Sequence, residues 1–120
     1  MEGTLLLAKN LRPKALWGYY GFPRCYNHGK PDWKCSNSTK KLNNQLTWLF
    51  DSSSVLFPSI YLSVSLPYKT EEFVKYQLYE AFRVAQNTRD TAKPVFPYIR
   101  FVYANSEIFL NKVRNDLETN

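Results

Sequence analysis

At 120 residues with 44% hydrophobic content, the chain is long enough for one small domain, and its composition excludes a disordered polymer. A net charge of +6 invites an anionic partner, yet the Lys and Arg residues are scattered singly, which argues against a nucleic-acid-binding arm. No apolar run approaches the roughly 18 residues that a membrane-spanning helix needs. The unusual feature is the aromatic content of 17%, with nine Tyr, eight Phe and three Trp.

Taken in chain order, residues 2 to about 10 read as a short helix that Pro13 ends. Met1-Glu2-Gly3-Thr4 runs straight into Leu5-Leu6-Leu7-Ala8, a helix already under way, so Met1 is expected to lie inside a longer parent chain. A short apolar run over 15–20 reads as a strand, broken by Gly21 and Pro23 into a polar loop over 21–38. Leu42, Leu46, Leu49 and Phe50 mark one face of a helix over 41–51. The nearly continuous apolar run 55–62 reads as a second strand covered on both faces, with Pro58 as a warning against it.

Thr70 is a candidate cap for the next helix, Glu71 and Glu72 suit its first turn, and Val74, Leu78, Ala81, Phe82 and Ala85 form its apolar stripe. A third strand follows over 94–103, containing Pro97, and a last helix from Ser106 carries Leu110, Val113 and Leu117 on one side. Helices alternating with strands at this spacing predict an α/β fold of about three parallel βα units. Closed (β/α) barrels typically need about eight strands, so the expectation is a partial TIM-like barrel, a slice of one larger domain.

In a βα barrel the chemistry sits at the C-terminal strand ends. Those ends offer Tyr19 or Tyr20, then Tyr61, then Tyr98, with Tyr103 further on. Flat rings stack on pyranose faces and a phenol gives or takes one hydrogen bond, so a sugar site competes with an aromatic core turn. Alternation along a strand sends Tyr19 and Tyr20 to opposite faces without saying which faces the site.

Cys25 and Cys35 share one polar loop beside the sequon Asn37-Ser38-Thr39. Together they predict a local disulfide and glycosylation at Asn37 in an oxidising compartment, against the alternative of two free thiols. His28 with two cysteines gives too few ligands for zinc, and neither a metal nor a cofactor is expected. Asp116-Leu117-Glu118 has the spacing of a glycosidase carboxylate pair, but it reads as a solvated helix end.

The run Arg12-Pro-Lys-Ala-Leu-Trp-Gly-Tyr-Tyr-Gly-Phe-Pro-Arg-Cys-Tyr-Asn27 strongly resembles the animal hyaluronidases, most of all the arthropod venom type. The likeness continues through Asn44-Gln-Leu-Thr-Trp-Leu-Phe50, Leu56-Phe-Pro-Ser-Ile-Tyr61, Glu80-Ala-Phe-Arg-Val-Ala85 and Pro94-Val-Phe-Pro-Tyr98. The resemblance implies a secreted, monomeric glycoside hydrolase that cleaves the β-1,4 bond between N-acetylglucosamine and glucuronate in hyaluronan, or in chondroitin. It implies a retaining, substrate-assisted reaction in which the acetamido oxygen is the nucleophile and one protonated Glu is the acid. Carried over by position, Tyr20 orients the acetamido group, Tyr61 and Tyr98 line the groove, and Cys25 and Cys35 match a family disulfide with a shortened loop.

Departures from the family pattern matter as well. The family's Asp-x-Glu acid motif belongs before Met1 and its groove tryptophan after Asn120, so residues 1–120 read as a fragment of a single barrel domain that is inactive alone. Gln77 stands where relatives often place a substrate-contacting Arg, and Arg24 where many have Asp. Beyond about residue 111 the likeness becomes poor. The rival expectation is a non-catalytic hyaluronan-binding paralogue, distinguished by the sequence upstream of Met1.

Overall fold

The computed structural model describes residues 1–25, 33–63, 70–104, 106–107 and 110. Four helices are formed: α1 (Glu2–Leu11), α2 (Asn37–Asn44), α3 (Thr47–Ser52) and α4 (Thr70–Gln86). Between them run extended segments at 17–21, 54–63 and 94–104. The expected last helix beyond Leu110, with Asp116 and Glu118, lies outside the described residues, as does His28.

The three strands are corrected to something looser. Among the described residues no continuous strand forms; the segments meet at isolated parallel pairings, Tyr20 with Phe57, Leu56 with Val95, Ser59 with Tyr98 and Ser63 with Ala104. Prolines give the reason. Pro58, Pro94 and Pro97 have no N–H to donate, so the ladder is interrupted wherever they fall. Their carbonyls still accept: Leu56 donates to Pro94 at 3.0 Å and Tyr98 to Pro58 at 2.8 Å. The spatial order is therefore first, second, third, all parallel, with helices in both connections. Gly18 lets the first two segments approach closely, since a Cβ there would lie 2.2 Å from the Val55 carbonyl oxygen.

The helix expected over 41–51 is two helices. It begins earlier, where the Ser36 hydroxyl accepts from the Thr39 N–H at 3.2 Å and caps α2. It breaks at Gln45–Leu46, where the Thr47 hydroxyl donates to the Asn44 carbonyl and competes with the helical ladder. The break turns Leu42 out to solvent and Asn43 inward. Leu5, Leu49, Phe50, Leu56, Val84 and Ala85 then form the core, with Trp17, Tyr19 and Phe22 packed against it. Contacts between α1 and α3, and between α2 and α4, close this layer.

The buried face of α4 is also not the apolar stripe expected. Ala81 and Ala85 are buried, but Phe82 is exposed, and Gln77, Glu80 and Val84 complete the inner face. Two polar side chains face inward because the turn after the first segment and α2 supply their hydrogen-bond partners. No described buried side-chain polar atom lacks a partner.

Candidate active site

Three tyrosines from three different segments meet at one rim. The Tyr20 ring lies 5.0 Å from Tyr98 in an edge-on arrangement and 5.9 Å from Tyr61 in a tilted one. These are favourable aromatic separations. Tyr20 and Tyr98 remain 49% and 43% exposed, which leaves ring faces open to a ligand. Tyr19, its neighbour, points the other way: its hydroxyl donates to the Met1 carbonyl at 3.1 Å and its ring packs on the core. Tyr103 is buried, its phenol donating at 3.5 Å to the Leu110 carbonyl.

The Tyr20 hydroxyl donates to Ser59 Oγ at 3.3 Å. Ser59 was not among the expected site residues, although alternation from Tyr61 along an extended segment places it on the same face. The Tyr61 phenol is pushed above the ordinary tyrosine range, first by loss of solvent and then by hydrogen bonding with the Tyr20 phenol. It therefore stays protonated at neutral pH, with a proton to donate in a hydrogen bond.

The turn after Tyr20 is held at several points. Gly21 sits at φ +85°, a left-handed conformation that suits glycine, and donates to the Phe57 carbonyl at 2.8 Å. Arg24 folds back, donating from Nε to the Gly21 carbonyl at 3.1 Å with its guanidinium over the Phe22 ring. Cys25 donates its N–H to Gln77 Oε1 at 3.2 Å, while Gln77 Nε2 donates to the Cys25 carbonyl. Asn43 Nδ2 donates to the Arg24 carbonyl at 2.8 Å and to Glu80 at 2.7 Å. A buried amide and a buried carboxylate thus position the loop that follows the phenol.

Cys25, buried, and Cys35, half-buried, stand side by side as thiols in this structure. The two sulfurs are hydrogen-bonded neighbours, which raises the Cys25 thiol far above its usual range and lowers that of Cys35. Burial adds to the rise at Cys25 and opposes the fall at Cys35. The thiolate is the reactive form. In the reduced protein, iodoacetamide is therefore expected to modify the half-buried Cys35 faster than the buried Cys25 near neutral pH. Cys35 labelling should persist below the pH at which an ordinary cysteine stops reacting; equal rates in peptide mapping by mass spectrometry would contradict the pairing. A cavity of about 260 Å³ beside Cys35, Tyr76, Glu80 and Arg83 shares no residue with the tyrosine rim.

A model of the hyaluronidases, glycoside hydrolase family 56, matches residues 1–119. The chain belongs to the hyaluronidase family. Rat hyaluronidase-1 is 44% identical over 116 residues, covering 92% of this chain and 26% of that protein. Mouse hyaluronidase PH-20 is also 44% identical, over 88% of this chain and 22% of its own length. The crystal structure of bee venom hyaluronidase superposes with a TM-score of 0.86 at 35% identity, over 99% of this chain and 39% of that one. A second structure of that enzyme, in complex with a hyaluronic acid tetramer, gives a TM-score of 0.83. The chain thus spans about a quarter of the length of the curated relatives it matches.

Within this hyaluronidase-family chain, the sequon residue Asn37 is the exposed first residue of α2. Gln77 has both ends of its amide engaged by the Cys25 backbone. The described residues include no group of three or more His, Cys, Asp or Glu that could hold a metal. No described helix is long and apolar enough to cross a membrane.

Proposed function

We propose that these residues form the substrate-positioning side of a secreted hyaluronidase, a slice of a (β/α) barrel whose three parallel segments deliver Tyr20, Tyr61 and Tyr98 to one groove. The reading is carried by the convergence of those phenols at ring separations of 5.0 and 5.9 Å on an exposed rim. The slice reading is supported by apolar side chains left in solvent at its edge, Phe101 being 80% exposed. Hyaluronan is the substrate, and the β-1,4 bond on the reducing side of N-acetylglucosamine is the one cleaved.

In this reading Tyr20 holds the acetamido group so that its oxygen faces the anomeric carbon. That geometry supplies orientation and favourable charge placement as the carbon becomes cationic. Attack by the acetamido oxygen forms a cyclic intermediate while an acid protonates the leaving oxygen, and water then opens it with net retention. The acid, a Glu of an Asp-x-Glu motif, is contributed from outside residues 1–120. In an oxidising compartment, thiol–disulfide exchange with an oxidised dithiol joins Cys25 to Cys35: the two thiols lose two protons and two electrons, and the exchanging disulfide is reduced to two thiols.

Release of reducing ends from hyaluronan tests the proposal. The longer protein that supplies the acid is expected to cleave the polymer, and the 120 residues alone to release none. Turnover by the 120 residues alone would refute the placement of the acid. Hyaluronan binding without cleavage by the longer protein would identify a non-catalytic binder instead, and neither binding nor cleavage would refute the function.

A further inference from the structure

The pairing of Ser59 with Tyr98 fixes the register of the second and third segments. Two residues further along each, on the same face, the register sets Tyr61 against Arg100. The side chains agree: the Arg100 guanidinium carbon lies 5.6 Å from the centre of the Tyr61 ring. Arg100 is exposed, as are Tyr20 and Tyr98 beside it. The ion pairs among the described residues are Arg83 with Glu80, Arg89 with Asp51 and Lys93 with Asp90; Arg100 takes part in none of them. It is a fixed positive charge lying along the edge of a sugar-sized aromatic rim.

We propose that Arg100 is a specificity-determining residue that pairs with a uronate carboxylate of the bound polysaccharide. This rests on the reading of the rim as a hyaluronan groove. A guanidinium is planar, permanently charged and able to stack on a ring while its outer N–H groups engage a carboxylate in two parallel hydrogen bonds. Stacking on Tyr61 holds the Arg100 plane in place, so less side-chain freedom is lost when the carboxylate arrives. Gln77, neutral and fully engaged with the Cys25 backbone, contributes no such charge. Because the carboxylate is common to hyaluronan and chondroitin, Arg100 separates acidic from neutral polymers and does not separate those two.

The experiment measures binding of a hyaluronan oligosaccharide, and of the same oligosaccharide with its carboxyl groups reduced to alcohols, by titration calorimetry at low ionic strength. Wild type is expected to prefer the acidic ligand, and Arg100→Gln to weaken that ligand alone by roughly three- to tenfold. Arg100→Lys should recover part of the loss, and Arg89→Gln, on a surface ion pair with Asp51, should change neither ligand. If Arg100→Gln binds both ligands as wild type does, or weakens both equally, the carboxylate role is overturned while the groove stands. If wild type binds neither, the groove reading itself fails, and Arg100's role with it.

Discussion

Tyr20→Phe is expected to lower kcat for hyaluronan by about 10²- to 10³-fold in the catalytically complete protein, with KM changed by less than about threefold. The substitution keeps the ring, so the contacts to Tyr98 and Tyr61 at 5.0 and 5.9 Å persist. What disappears is the hydroxyl, with its 3.3 Å hydrogen bond to Ser59 and its hydrogen bonding with the Tyr61 phenol. Both lie on an exposed rim where water replaces them, so their loss costs the fold about 1 kcal/mol. The loss falls on the transition state, because the hydroxyl acts on an acetamido group that must be aimed at the anomeric carbon only as the bond breaks. Steady-state kinetics of both proteins decide the matter: an unchanged kcat removes Tyr20 from the reaction, and a rise in KM alone makes it a ground-state contact. Ser59→Ala supplies the companion measurement, with a smaller loss, since it frees the phenol without removing it.

Glu80→Ala is expected to destabilise the fold by about 3 kcal/mol or more, a large share of the roughly 5–15 kcal/mol typical of a domain. The Glu80 side chain is only 1% exposed and accepts from Arg83 Nε at 2.5 Å, Arg83 Nη2 at 2.9 Å and Asn43 Nδ2 at 2.7 Å. The hydrogen bond to Glu80 is also the main reason that the Arg83 guanidinium holds its proton more tightly than usual. Removing the carboxylate strands a partly buried cation and frees one bond of the amide that grips the Arg24 carbonyl. Glu80→Gln keeps an acceptor for Asn43 and should cost about half as much. Urea unfolding of the two variants gives the comparison. A cost below about 1 kcal/mol for Glu80→Ala would show that solvent replaces the carboxylate and that the network does not hold the turn.

Both predictions concern residues that local patterns treat differently. Tyr20 stands in an apolar run whose break at Gly21 and Pro23 is written in the sequence, and the spacing of the three apolar runs already places one phenol near each segment end. Glu80 is a charged residue in a helix whose apolar periodicity points elsewhere. Periodicity counts it as solvent-facing, since a carboxylate goes inside only when partners wait for it. Those partners, Asn43 and Arg83, lie at very different distances along the chain, and only Arg83 is within helical reach. The single helix expected over 41–51 failed for a related reason: its leucine spacing was sound, but Asn43 is buried by Glu80 and the Arg24 carbonyl, and Leu42 is left outside.

The amino-acid sequence by itself determined the helices α1 and α4, the alternation of helices with extended segments, the proline interruptions, the tyrosines at the segment ends and the family likeness. Each of these is a local matter, set by periodicity, caps and backbone chemistry within a few residues. The family likeness already named Tyr20 where strand alternation alone could not choose it over Tyr19; only the tertiary structure decided that Ser59 and Arg100 join the rim, and that Gln77 and Glu80 turn inward to hold the loop beside it. These depend on the register between segments about 40 residues apart, where a shift of one residue would send every side chain to the opposite face.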